Sequence, residues 1–126
     1  MEIVEASIEE VVKANARIPE FGPYDAAYFE DRCGDALALV AYVDGQPVGY
    51  MLSYDRFQDG SLYCWMAGVD PDFRRQGVLS SLMDYQYAWA REQGYSKIRI
   101  KTRNTRREML SFLVSSGYLF TGVEEY

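Results

Sequence analysis

The stretch that decides the fold is Val69-Asp70-Pro71-Asp72-Phe73-Arg74-Arg75-Gln76-Gly77-Val78-Leu79-Ser80-Ser81-Leu82-Met83. An apolar β-type segment leads into it and ends at Pro71, because proline has no N–H to donate to a sheet. An amphipathic helix leaves it, and a helix start offers unpaired N–H groups and the positive end of the dipole. Gly77, without a Cβ, lets a ligand approach that backbone, so the stretch favours a phosphate site. A strand-to-helix turn with two solvated arginines is the simpler alternative.

The helix that follows is predicted from apolar residues that recur at spacings of three and four. They are Leu79, Leu82, Met83, Trp89 and Ala90, and Gln86 alone interrupts the stripe. Gly94, just past Gln93, is a plausible end for this helix. The stripe therefore predicts one long helix packed against a sheet.

Shorter elements are predicted before the central stretch. Ile3–Ala6 is typical of a strand, Ser7 with Glu10 forms a capping box for a helix, and Asp25–Arg32 favours a second helix. Three strands should follow, at 36–43, 48–54 and 62–69, with turns at Asp44-Gly45 and Asp59-Gly60. These segments predict a strand, two helices and a three-stranded meander.

Another predicted strand opens the last part of the chain. Lys97–Thr102 alternates basic and apolar residues, which is typical of a strand with one buried face. Because it follows a strand and a helix, it should lie parallel to the strand at 62–69. A helix over 105–116 and a strand over 118–123 complete the order βααβββαβαβ. The fold class is therefore α/β (α+β), a mixed, mostly antiparallel sheet with a central parallel pair.

The amino-acid composition excludes several kinds of site and of protein. The chain has 126 residues, enough for one domain over 1–126, and 48% of them are hydrophobic. Two cysteines do not make a disulfide framework, and the absence of histidine excludes a His-based triad and a typical zinc site, so no metal is expected. The N-terminus lacks a signal-peptide pattern, and no segment has about twenty apolar residues, so we expect a cytoplasmic protein without membrane association.

Charge is uneven along the chain. Residues 1–63 contain 12 acids and 4 bases, whereas residues 64–126 contain 7 acids and 9 bases. An anionic ligand would be drawn to the second half and a cationic one to the first, although most such faces are only solvated. Nucleic-acid binding by the basic run Lys97–Arg107 ranks last, because the run has no interleaved aromatic residues and the net charge is −6.

Arg74-x-x-Gly77 after Val69-Asp70-Pro71 resembles the acetyl-CoA loop of the GNAT acetyltransferases, Gln/Arg-x-x-Gly-x-Gly/Ala. Leu79 departs from the last position of that pattern, where a side chain narrows the room beside the pyrophosphate. The resemblance extends from Ile3 to about Val123, and the family's final strand is missing. Either another element covers that edge or the chain is shortened, and the edge would favour a homodimer.

The resemblance implies acetyl-CoA as cosubstrate, with no metal. It implies a bulge near the end of the strand at 62–69 that turns backbone amides toward the thioester. The implied cofactor-binding residues are Gly68, Val69, Arg74, Arg75, Gln76, Gly77, Val78, Leu79, Ser80, Asn104 and Arg107.

The catalytic residue types that the resemblance implies are absent from their usual positions in this chain. The family's usual tyrosine position falls on Leu113, which cannot donate a proton, and its usual glutamate falls on Tyr63. A tyrosine, with a pKa of about 10, is a poor base at neutrality but can orient a water or the amine. Asp55 and Glu20 are the carboxylates that could act as base through water.

Two functions follow from the resemblance. The first is N-acetyltransfer from acetyl-CoA to a primary amine, directly and without a covalent enzyme intermediate. Tyr24, Tyr28 and Trp65 would line the acceptor site, and the acidic first half favours a cationic acceptor, such as a polyamine, a lysine or a peptide N-terminus. The second is a non-catalytic acyl-CoA-binding or sensing domain, which the departures at Leu79 and Leu113 favour.

Overall fold

A computed structural model of the chain describes residues 1–101. The predicted helix over 105–116, the strand over 118–123, the C-terminal sheet edge, and Asn104, Arg107 and Leu113 lie outside those residues. The elements in chain order are β1 (Glu2–Glu5), α1 (Ile8–Asn15), α2 (Ala26–Cys33), β2 (Leu37–Val43), β3 (Gln46–Tyr54), β4 (Ser61–Val69), a 3-10 turn (Pro71–Phe73), α3 (Val78–Glu92) and β5 (Lys97–Ile100).

The five strands form one sheet in the order β1-β2-β3-β4-β5. The first four strands pair antiparallel, and β4 pairs parallel with β5. The predicted meander and the parallel pair after the α3 crossover are thereby confirmed. The sequence analysis did not predict a partner for β1, because periodicity alone carries no information on which strands pair. In the structure β1 pairs with β2.

Local sequence signals set the element boundaries. The Ser7 side chain accepts a hydrogen bond from the Glu10 amide at 3.4 Å, and the Asp25 side chain accepts one from the Tyr28 amide at 2.9 Å. Both side chains cap the first turn of their helices, α1 and α2. The observed helices therefore begin within one residue of the predicted ones.

The two hairpin connections differ. Asp44 and Gly45 have φ values of 50° and 76°, as the predicted two-residue turn requires. The second connection is longer than the Asp59-Gly60 turn predicted, because β3 ends at Tyr54 and β4 begins at Ser61. The Asp55 carboxylate stabilises this loop by accepting a hydrogen bond from the Gln58 amide at 3.1 Å.

Each face of the sheet has its own apolar cluster. Helices α1 and α2 cover one face through Val11, Phe29, Val40, Tyr50 and Leu52 among others. Helix α3 covers the opposite face through residues of the predicted stripe, including Leu82 and Met83. The two layers meet the sheet from opposite sides, so side chains of β4 alternate between them.

Gln86, the polar residue within the α3 stripe, is fully buried rather than turned to solvent. The Ser53 hydroxyl of β3 donates a hydrogen bond to its amide oxygen, and its amide nitrogen donates to the Met83 sulfur at 3.7 Å. These partners compensate for the loss of water around a buried amide. The interruption in the stripe is thus part of the core.

Candidate active site

The turn between β4 and α3 presents an open helix start. Arg75 and Gly77 have φ values of 63° and 81°, which rotate the chain from the 3-10 turn into α3. Among residues 1–101, no side chain caps the first turn of α3, and no atom lies within 4 Å of the position that a Cβ on Gly77 would take. Backbone N–H groups at such an end attract anions, so the geometry fits the predicted phosphate site.

Leu79, the departure from the family pattern, does not fill this opening. Its side chain is half-buried and packs against the apolar cluster under α3. Gln76 and Ser80 on either side are exposed. The leucine therefore anchors the first turn of α3 to the sheet.

Arg74, predicted to bind phosphate, is held by two groups of the protein. Its Nε donates a hydrogen bond to the Val69 carbonyl oxygen at 3.1 Å. Its guanidinium also forms an ion pair with the Glu20 carboxylate, in the loop between α1 and α2. Glu20 was predicted as a base acting through water, so two residues assigned separate roles contact each other.

A second ion pair joins the same two segments. The Arg17 Nε lies 2.9 Å from the Asp70 carboxylate, which also accepts a hydrogen bond from the Asp72 amide at 2.9 Å. Burial alone would raise the pKa of Asp70, but the Asp72 amide and Arg17 outweigh it and lower the pKa. Sequence reasoning missed this pair, because 53 residues separate its partners and no local pattern connects them.

The parallel pairing of β4 with β5 runs from Ser61 with Lys97 to Cys64 with Ile100, and β4 continues to Val69. The described residues end at Lys101, directly after this pairing. The resemblance also implies a cleft between these two strands for the pantetheine arm of acetyl-CoA. That cleft falls beyond Ile100, outside the described residues, and stays a prediction.

The bulge predicted near Met66–Val69 lies at Trp65. Leu52 pairs with Met66 and Ser53 with Cys64, so Trp65 is the additional residue in β4. Trp65 and Met66 consequently both pack on the α1–α2 side of the sheet. A bulge breaks the alternation of side chains and re-aims the local amides.

Gly68 lies outside the bulge and serves close packing. A Cβ at this position would lie 2.6 Å from the Phe21 ring and 2.8 Å from Ile18. Both neighbours belong to the segment after α1, so the missing side chain lets that segment rest on β4. Contact between Gly68 or Val69 and a cofactor stays a prediction.

Tyr24, Tyr28 and Trp65, predicted to line the acceptor site, come together in the structure. The rings of Tyr24 and Tyr28 stack with centroids 3.9 Å apart, and Tyr28 lies 5.8 Å from Trp65. Tyr54 extends the row, 6.4 Å from Trp65 and 5.7 Å from Tyr63. We call these five residues the aromatic wall.

Tyr63 is the one predicted catalytic residue that belongs to the aromatic wall. It is buried, and burial raises the pKa of its phenol, although Arg56 and Lys101 act in the opposite direction. The phenol therefore stays protonated at neutral pH and is a hydrogen-bond donor rather than a base. The Asp55 carboxylate accepts the Gln58 amide hydrogen bond within the β3–β4 loop and interacts with Tyr95.

Residues 1–101 lack two further features. No group of three or more histidine, cysteine, aspartate or glutamate side chains is arranged to hold a metal ion. None of the helices described there has the length and apolar character needed to cross a membrane.

Comparison with known proteins identifies the family. Residues 6–118 match the Acetyltransferase (GNAT) family. The chain belongs to that family. It is therefore an acetyltransferase, and acetyl-CoA is the cosubstrate that the family uses. Comparison with curated proteins gave no match.

Solved structures are similar to this acetyltransferase over nearly its whole length. Ard1 from Thermoplasma volcanium is 27% identical with a TM-score of 0.83, over 96% of this chain and 84% of that one. The ribosomal-protein-alanine N-acetyltransferase from Brucella melitensis is 22% identical with a TM-score of 0.78, over 100% and 97%. The aminoglycoside N-acetyltransferase AAC(6')-Iy in complex with CoA is 15% identical with a TM-score of 0.81, over 99% and 91%. The last two support the fold alone.

Proposed function

We propose that this acetyltransferase moves an acetyl group from acetyl-CoA to a primary amine, directly and without a covalent enzyme intermediate. The observation that carries the proposal is the open start of α3, with Gly77 at a φ of 81° and no side-chain cap from residues 1–101. An amine acceptor is what membership of the GNAT acetyltransferase family implies.

The reaction needs two placements and two proton transfers. The amine nitrogen attacks the thioester carbonyl carbon, the C–S bond breaks, the nitrogen loses a proton, and the thiolate gains one. Donors fixed in advance around the carbonyl oxygen stabilise the charge that develops on it. The amides of β4 at the Trp65 bulge are our candidates for that task.

The residues that would hold the coenzyme belong mainly to the turn before α3. The backbone from Arg75 to Ser80 would bind the pyrophosphate, with Gly68 and Val69 beside the pantetheine. Asn104 and Arg107, outside the described residues, keep the cofactor roles that the resemblance implies. Arg74 can contribute its charge only to the extent that it is released from Glu20.

Substituting Gly77 tests the phosphate site. Asp and Asn both tolerate a positive φ and have nearly equal volume, so Gly77→Asp and Gly77→Asn differ chiefly in charge. We expect the aspartate to weaken acetyl-CoA binding at least about tenfold relative to the asparagine, because it repels the pyrophosphate at the helix start. Isothermal titration measures both affinities, and equal affinities would place the coenzyme elsewhere.

Two assays separate the enzyme from the alternative, an acyl-CoA-binding domain without activity. Acetyl-CoA at about 100 times its Kd should stabilise the fold by about 2.7 kcal/mol, which raises the Tm for either function. Release of free thiol from acetyl-CoA with a panel of primary amines occurs only with transfer. A raised Tm without thiol release for any amine would favour the sensing domain.

Tyr63 is our proposed hydrogen-bond donor in the reaction, acting on the amine, a water or the departing thiolate. We expect Tyr63→Phe to lower kcat about 10- to 100-fold while leaving acetyl-CoA affinity unchanged, since only the hydroxyl is removed. Tyr54→Phe is the matched control in the neighbouring ring. An unchanged kcat for Tyr63→Phe would exclude Tyr63 from the mechanism. Asp55 and Glu20 would then be the remaining candidates for a catalytic role.

A further inference from the structure

Three cationic side chains surround one end of the aromatic wall. The Arg56 guanidinium lies 5.0 Å from the centroid of the Tyr63 ring and 5.2 Å from that of Phe57. Arg99 and Lys101 lie 5.7 and 5.9 Å from the Phe57 ring. We call Arg56, Arg99 and Lys101 the cationic patch.

The cationic patch lies beside the paired part of β4 and β5. Arg99 is the pairing partner of Tyr63, and Lys101 follows Ile100, the last residue of β5 that pairs with β4. The rings of Phe57 and Tyr63 are 5.7 Å apart, which makes Phe57 continuous with the aromatic wall. An acceptor that lies along the wall therefore meets the patch.

Within residues 1–101, the two arginines of the patch differ in their carboxylate partners. Asp59 pairs with Arg99 at 3.1 Å. Asp55, the neighbour of Arg56 in sequence, accepts the Gln58 amide hydrogen bond and interacts with Tyr95 instead. Within residues 1–101, the contacts of the exposed Arg56 side chain are with aromatic rings rather than with a carboxylate.

The positive charge of the cationic patch is opposite in sign to the net charge of residues 1–63. The totals for residues 1–63 favoured a cationic acceptor, but folding brings Arg56 next to Arg99 and Lys101 from the second half. Glu20, an acid near the other end of the site, is paired with Arg74. The local field at the wall is set by these neighbours rather than by the totals.

We infer that the acceptor of this acetyltransferase carries a carboxylate as well as its primary amine. The amine lies near the Trp65 bulge, the body of the acceptor rests on the aromatic wall, and the carboxylate binds at Arg56. A guanidinium binds a carboxylate through two parallel N–H donors, and the Tyr63 and Phe57 rings beside Arg56 limit the positions that its side chain can take. The inference rests on the proposed transfer to an amine and narrows its substrate class.

Matched acceptors test the inference and distinguish two sources of the carboxylate. The small-molecule pair is 4-aminobutyrate and 1,4-diaminobutane, and the peptide pair is Ser-Glu-Ala amide and Ser-Lys-Ala amide. We expect the acidic member of at least one pair to have a kcat/KM at least about tenfold higher, measured by thiol release. The pair with the larger ratio identifies a free amino acid or a peptide N-terminus as the source.

Substitutions at Arg56 complete the test. Arg56→Gln should lower kcat/KM for the acidic acceptor about tenfold and leave the KM for acetyl-CoA unchanged, whereas Arg56→Glu should shift preference toward the cationic member. Arg91→Gln is the control, because Arg91 lies over the Tyr87 ring at a comparable 5.7 Å on α3. The inference is wrong if the wild type is as active or more active with the cationic acceptors, or if Arg56→Gln lowers activity equally with both members of a pair. Either result leaves the proposed acetyl transfer to an amine intact. Absence of transfer to any amine would contradict both proposals.

Discussion

Single residues of this acetyltransferase have roles that their type alone does not specify. Gly77 and Gly68 both lie in the stretch around the β4–α3 turn, but for different reasons. Gly77 adopts a positive φ with open space around it, whereas Gly68 is closely covered by Phe21 and Ile18. The first is suited to a ligand, and the second to packing of the protein against itself.

Gly68→Ala tests the packing role. The added methyl would lie within 3.0 Å of atoms of Phe21 and Ile18, so the segment after α1 must shift. We expect a loss of about 1–3 kcal/mol in the free energy of unfolding, measured by urea denaturation. Phe21→Leu in the Gly68→Ala background should recover part of that loss. A fully stable Gly68→Ala would contradict the close packing and leave cofactor contact as the reason for the glycine.

At the scale of elements, the α1–α2 segment is attached to the turn before α3 by two ion pairs. Arg74 pairs with Glu20 and Arg17 pairs with Asp70. One segment contributes to the aromatic wall and the other to the phosphate site, so the pairs link the two halves of the site. Glu20 competes with any phosphate for the Arg74 guanidinium.

We expect Glu20→Gln to strengthen acetyl-CoA binding about 3- to 10-fold, because it removes the carboxylate that holds Arg74 and leaves the guanidinium for the pyrophosphate. Titration calorimetry gives the affinity. In an Arg74→Gln background the same substitution should have no effect, which makes a double-mutant cycle the control. Weaker binding by Glu20→Gln alone would indicate that Glu20 positions Arg74, and a lower kcat would instead support its predicted role as base.

At the scale of the whole molecule, three carboxyl groups link stability to pH. The Lys13 hydrogen bond lowers the pKa of Glu10, and the Ser61 hydroxyl lowers that of Asp59. The pKa of Asp70 is also lowered, since the Asp72 amide and Arg17 outweigh burial. In the acid range the unfolded chain binds more protons than the folded one, so stability falls as pH drops below about 4.

Arg17→Gln isolates the contribution of Asp70. It leaves a largely buried carboxylate without its guanidinium, so we expect about 1–3 kcal/mol lower stability at pH 7 and a shallower decline in acid. Urea denaturation at several pH values between about 7 and 3 measures both effects. Lys13→Gln, which breaks a pair with an exposed lysine, should cost much less. Equal losses for the two variants would show that burial of Asp70 has no energetic consequence.

The sequence by itself determined the elements and their order. The spacing of apolar residues predicted α3, Ser7 and Asp25 marked the starts of α1 and α2, and the Asp44-Gly45 turn set the first hairpin. The parallel pairing of β4 and β5 followed from the helix between them. These features depend on contacts within a few residues or on the chirality of one crossover, so local patterns suffice to predict them.

Only the tertiary structure decided which side chains meet across long separations. It placed the bulge at Trp65, paired Arg74 with Glu20, buried Gln86 against Ser53, and gathered Arg56 with Arg99 and Lys101. Each depends on the packing of layers that are distant in sequence, and residue type does not select one partner among many. The charge at the aromatic wall is therefore a property of the fold, whereas the open start of α3 was already predicted from the sequence.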